Sequence, residues 1–109
     1  MPIVSFSDFQ KLELRVGTIR TAEWVPNSEK LIKLEVDFAF EIRQIIAGIG
    51  KTHTPEALVD TQCIFVTNLE PRVLMGLESQ GMLLAASDSE GNPVLLKPEK
   101  EIPAGAQIH

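Results

Sequence analysis

The stretch LIKLEVDF, residues 31–38, decides how this chain folds. Ile32, Leu34, Val36 and Phe38 fall on one side of an extended chain, and Lys33, Glu35 and Asp37 on the other. A period of two is the signature of a strand with one face in a core and one in water. Outward from it, ELRVGTIRTAEWV (residues 13–25) reads as a long strand, with Gly17 predicting a bulge or sharp bend. Pro26-Asn27-Ser28 is a turn between the two. Downstream, residues 42–49 form a third, more continuously apolar strand.

Thr54-Pro55-Glu56-Ala57-Leu58-Val59 places Thr at an N-cap and Pro at the first helical position, so a short helix follows. Residues 62–68 and 80–87 read as fourth and fifth strands, with the segment from Glu70 to Gly81 as loop and strand start. Glu90-Gly91-Asn92-Pro93 is a turn before a short strand, Val94-Leu95-Leu96, and the remainder is an irregular tail. At the front, Phe6, Phe9 and Leu12 recur at helical spacing behind Ser5 or Ser7 as cap. Three strands, a short helix and further strands are the order of a five-stranded Greek-key OB-fold barrel, with another small barrel left open. The 109 residues suffice for one all-β domain, 1–109.

Composition narrows the function. Cys63 is the single cysteine, so no internal disulfide forms, and a reducing, cytoplasmic setting is expected. No run approaches the roughly 20 apolar residues of a membrane span, and MPIVSFSDFQKL lacks the pattern of a signal peptide. His53, His109 and Cys63 do not make a zinc ligand set, and no cofactor is expected. Ser79 lacks the paired glycines of a nucleophile elbow, since residues 77–81 read Leu-Glu-Ser-Gln-Gly. No phosphate-binding or dinucleotide motif is present. These absences point to a binding protein rather than an enzyme.

The net charge is −5, which argues against a uniformly basic nucleic-acid domain. The charge is uneven, however: residues 1–52 hold seven basic and seven acidic side chains, residues 53–109 three and eight. A positive surface must be a local patch drawn mainly from the first half. Lys30, Lys33, Arg43 and Lys51 flank the second and third strands, which with nearby loops form the binding face of an OB-fold. Arg72 comes from the later loop. Gly76 and Gly81 permit close approach of backbone to a ligand, Ser79 offers a hydroxyl, and Met82 a polarizable side chain.

The order and spacing of several segments carry a resemblance. They are Leu14-Arg15-Val16-Gly17-Thr18-Ile19, Pro26-Asn27-Ser28-Glu29-Lys30-Leu31, Arg43 to Ile49, and above all NLEPRVLMGLESQGM, residues 68–82. Across nearly its whole length the chain resembles the tRNA-binding domain found at the C-terminus of methionyl-tRNA synthetases. That domain also stands alone as a dimeric tRNA-binding protein and as a secretion-related chaperone. The resemblance implies an OB-fold with a C-terminal extension, a homodimer, and recognition of tRNA by shape and backbone. It carries RNA-facing roles onto Lys30, Arg72, Ser79 and Met82, with Asn27, Lys33, Arg43, Lys51 and Gln80 as further candidates. Aminoacylation would belong to another polypeptide, a synthetase being the expected partner.

Some positions depart from the pattern. Glu70, Val73 and Met75 stand where relatives often carry a base, and Val25 stands for a common His. Each lost cation removes a phosphate partner and flattens the salt dependence by about 0.7 to 0.9 in slope. Modest affinity, assisted by bivalency in a dimer, is therefore expected. A dimeric peptide-binding chaperone is the alternative. A docking domain using Phe6, Phe9 and Ile108 is a third possibility.

Overall fold

Strand β1 (Leu14–Trp24) is long enough to serve two neighbours in turn. Its first half, Leu14 to Thr18, pairs antiparallel with β4 (Gln62–Val66). Its second half, Thr18 to Trp24, pairs with β2 (Ile32–Asp37). The computed structural model describes all residues from Met1 to His109. Strand β3 (Ile42–Ala47) continues the sheet beyond β2, and β7 (Met82–Leu83) continues it beyond β4. The resulting order, β3-β2-β1-β4-β7, curls into a nearly closed OB-like barrel with short helices α1 (Phe6–Phe9) and α2 (Pro55–Leu58).

Gly17 has a different role from the expected bulge. It stays in regular register with Cys63, and the register shift lies between Ile19 and Thr21. A Cβ at Gly17 would meet the Val36 side chain and lie 2.7 Å from the Phe38 ring. The glycine is there for packing: Phe38 and Phe65 meet edge-on beneath it, 5.5 Å apart at 86°. Around that pair, Ile19, Ile32, Leu34, Val36, Ile45 and Leu58 are buried, so the alternation in residues 31–38 sets the core. Cys63 belongs to the same cluster, and burial pushes its thiol up.

Two other expectations change. Residues 72–79 form a hairpin rather than a loop, β5 (Arg72–Leu74) against β6 (Leu77–Ser79). Its two-residue turn, Met75-Gly76, has φ of +51° and +80°, the paired positive values that match the twist of the strands. The tail is not wholly irregular either, since β10 (Gln107–Ile108) pairs with Leu14 and Arg15. The last hairpin joins β8 (Ala85–Ser87) to β9 (Pro93–Leu95). The Asp88 carboxylate ties its turn by accepting from the Asn92 and Glu90 N–H groups, 2.9 Å each, which lowers the Asp88 pKa. Ser5 caps α1 by accepting from the Asp8 N–H, whereas Thr54 has the backbone of a cap without a side-chain bond.

The barrel seam between β3 and the β6–β7 segment has no strand ladder, and the Gln80 N–H donates across it to the Gln44 carbonyl at 2.8 Å. Side chains complete it. Ser79 Oγ accepts from the Ile46 N–H and donates to the Gly81 carbonyl, both at 3.0 Å. Gln80 Oε1 accepts from the Gln44 N–H at 3.1 Å, and Gln44 Nε2 donates to the Glu78 carbonyl at 2.8 Å. Arg43 donates to the Thr67 carbonyl from the same strand.

Candidate nucleic-acid interface

The turn after β1 is built to present Lys30. Val25 anchors it in the core and Asn27 takes φ +66°, a left-handed value that Asn tolerates better than most residues. Ser28 Oγ accepts from the Leu31 N–H at 3.0 Å, and the Lys30 carbonyl accepts from the Gly50 N–H at 2.7 Å. The Lys30 stem then runs over Gly48, where a Cβ would lie 3.4 Å from Cε. The turn is thus tied to the end of β3, and its ammonium is left exposed.

Three adjoining hollows share Lys30. One of about 290 Å³ is lined by Lys30, Arg72, Leu74 and Met82 over the floor of Ala47 and Gly48. A second, about 430 Å³, adds Asn27, Ser28 and Lys51. A third, about 240 Å³, adds Thr52, Gly91 and Asn92 from the tip of the last hairpin. Five of the nine sequence-derived candidates, Asn27, Lys30, Lys51, Arg72 and Met82, therefore surround one region. Glu29 and Glu70 also stand on its rim. The largest hollow, about 730 Å³ between Arg20 and the Lys97–Ala104 segment, shares no lining residue with these three.

The other four candidates are engaged elsewhere. Lys33 lies on the outer face of β2, 2.7 Å from the Glu23 carboxylate, which raises its pKa. Arg43 sits at the far end of β3, about 13 Å along the strand from Ala47, and its Nε donates to Glu41 at 2.7 Å. Ser79 is 4% exposed, with its one proton committed to the Gly81 carbonyl, so it positions Gly81 and Met82 rather than facing outward. Gln80 holds the seam through its side chain and N–H. Ser79 and Gln80 brace the segment that carries Met82, whereas Lys33 and Arg43 lie away from the region that the first five surround.

Ion pairing separates the cations sharply. Lys11, Arg15, Arg20, Lys33 and Arg43 each have a carboxylate within 4.0 Å. Lys30, Lys51 and Arg72 have none, nor do Lys97 and Lys100 beside the largest hollow; what sets the first three apart is that they gather around one region, with Glu29 and Glu70 at its rim rather than in ion pairs with them. A cluster of free cations beside a half-exposed Met82 can hold phosphate oxygens with an apolar surface against a base or ribose. No group of three or more His, Cys, Asp or Glu side chains is placed to hold a metal ion. No helix is long and apolar enough to cross a membrane.

Thr52 and Asn92 also line this region, and no binding motif in the sequence marks them. Asn92 was legible as a turn residue, but only tertiary contact brings that turn beside Lys30 and Lys51.

The family model described as "Putative tRNA binding domain" matches residues 14–107. The chain is 53% identical over 107 residues to a methionine–tRNA ligase of Methanothrix thermoacetophila, covering 98% of this chain and 16% of the ligase. Against the methionine–tRNA ligase of Pyrococcus horikoshii it is 49% identical over 108 residues, 99% of this chain and 15% of the ligase. It thus spans about one-sixth of these relatives. Among solved structures, a MetRS-related protein from Pyrococcus horikoshii superposes with TM-score 0.95 at 39% identity, each chain fully covered. The chaperone CsaA from Bacillus anthracis superposes with TM-score 0.90 at 36% identity, covering 99% of this chain and all of CsaA. The chain belongs to the tRNA-binding domain family.

Proposed function

We propose that this domain is a non-catalytic cytoplasmic module that binds tRNA by shape and backbone and supports methionyl-tRNA synthetase or tRNA handling. The observation that carries the reading is the convergence of three unpaired cations, Lys30, Lys51 and Arg72, on hollows sharing Lys30, in a chain of net charge −5. Phosphate oxygens would supply the anionic partners that these three lack within the chain. Asn27 and Met82 complete the contact surface, and Ser79 with Gln80 holds it in place. Binding weakens with salt, and each lost phosphate contact reduces the slope of log K against log salt by about 0.7 to 0.9.

A homodimer is part of this proposal. Ile3, Phe6, Phe9 and Leu12 are exposed, Phe6 at 72%, and Phe40 and Ile42 add further apolar surface. Apolar side chains in such number on so small a chain are expected to be covered by a second copy. Two copies would present two cation clusters and raise avidity.

The test is filter retention of unfractionated tRNA at two salt concentrations with Lys30→Ala and Arg72→Ala, alongside mass by light scattering. Both variants binding like the parent in low salt would sink the site. The exposed apolar surface and the likeness to CsaA favour a second reading, a peptide-binding chaperone. Suppression of aggregation of an unfolded client, without retention of tRNA, would put that reading first.

A further inference from the structure

We propose that Trp24 is a stacking platform for an unpaired nucleobase of the bound RNA, an inference that rests on the RNA-binding reading above. Trp24 ends β1 in register with Ile32, so the two side chains share the core-facing side of the sheet at one end of the barrel. Ile32 is wholly buried there, whereas Trp24 is 46% exposed. Its six-membered ring is seated on Gly50, where a Cβ would fall 2.5 Å from Cζ3 and 2.9 Å from the Lys30 carbonyl oxygen. Gly50 lacks the side chain that would displace the ring, and its N–H holds the Lys30 carbonyl. Two residues earlier, Gly48 seats the Lys30 stem. One short segment, Gly48-Ile49-Gly50, therefore carries the indole and the cation stem, with Lys51 next in the chain.

The indole takes part in no aromatic or cation–π pair within the molecule. The aromatic contacts are Phe6 with Phe9 and Phe38 with Phe65, and the cation–π contact is Arg15 over Phe40. A fixed, half-exposed ring beside backbone-binding cations is the arrangement by which single-stranded nucleic acid is held: cations track phosphates and the aromatic face takes a base. The ligand class is accordingly RNA with an unstacked base, not a continuous duplex, whose bases are hidden in the helix.

The chain has one Trp and no Tyr, so indole emission reports this contact directly. The experiment titrates the full chain with unfractionated tRNA and with a fully paired RNA duplex, reading indole emission, its accessibility to acrylamide, and filter retention. Parent, Trp24→Phe, Trp24→Leu and Lys30→Ala are compared. On stacking, tRNA quenches the indole and shields it from acrylamide, and the duplex does neither. Trp24→Leu then loses about tenfold in tRNA affinity with the salt slope unchanged, Trp24→Phe recovers most of the loss, and Lys30→Ala lowers the slope while keeping the quench at saturation. If tRNA is retained with salt-sensitive binding but the parent's indole is neither quenched nor shielded, Trp24 is only a plug for the barrel end and the inference falls while the tRNA reading stands. If no variant or parent retains tRNA at low salt, the functional reading fails and takes this inference with it. The parent's emission decides the matter even if Trp24→Leu does not fold.

Discussion

The outer wall of the barrel and the end that carries Lys30 use the same residue types to opposite effect. On the wall, Arg20 donates to Asp37 at 3.0 Å, Lys33 meets Glu23 at 2.7 Å, and the Thr21 hydroxyl donates to Glu35 at 2.8 Å. Cross-strand register sets these neighbours opposite one another, as with Glu23 and Lys33 or Thr21 and Glu35. At the other place, Lys30 and Lys51 come from turns and Arg72 begins β5 opposite Ser79, so cross-strand register sets no carboxylate beside them. A sheet face neutralises its own charges; converging loops leave theirs free. An acidic chain can therefore hold a local positive field, because solvent screens wall charges separated by more than about 10 Å from the cluster at 0.1 M salt.

The contrast can be broken experimentally. The largest effect is expected from Lys30→Ala with Arg72→Ala together: tRNA affinity falls about 100-fold at low salt, at about 1.5 kcal/mol for each charge-assisted contact. Filter retention measures it, and a loss below threefold would erase the distinction between the regions. Next is Ser79→Ala, which leaves the Ile46 N–H buried without its partner. We expect a loss of about 1 to 3 kcal/mol in urea unfolding, together with weaker tRNA binding as Met82 loosens. Unchanged stability would remove the seam from the account. On the wall, Lys33→Ala is expected to change tRNA affinity less than twofold and stability only slightly, as for other exposed ion pairs. A large fall in affinity would show that Lys33 belongs to the binding surface after all.

The smallest effect concerns acid. The Arg15 side chain, and after it Thr67, holds the Glu13 carboxyl below its ordinary 4.5. A carboxylate lowered in the folded state contributes stability that is fully present above the ordinary value and lost as pH falls through the lowered one. Glu13→Gln is thus expected to flatten the acid limb of a stability–pH curve and leave neutral tRNA binding unaltered. The Cys63 thiol, buried and pushed up, should resist alkylation until the chain unfolds.

Much of the fold was readable because its signals are local. The alternation of Ile32, Leu34 and Val36 marks a strand whatever it packs on, and Thr54-Pro55 marks a helix start. The β5–β6 hairpin was not readable, since Met75 fills a turn position where Asn is the usual cue. Strand β10 escaped because two residues have no period; its pairing with Leu14 and Arg15 is a tertiary event. At the candidate site, Lys30, Arg72 and Met82 stand in the segments that carry the family resemblance. The engagement of Ser79 and Gln80 in the seam was not, because their partners Ile46 and Gln44 lie more than 30 residues away in the chain.

The amino-acid order by itself determined which segments alternate, where the chain turns and which cations are available, since these follow from side-chain period and backbone preference. Only the tertiary structure decided which cations remain free. An ion pair depends on distances set by register and barrel closure, and those bring Glu23 to Lys33 while leaving Lys30, Lys51 and Arg72 facing solvent together.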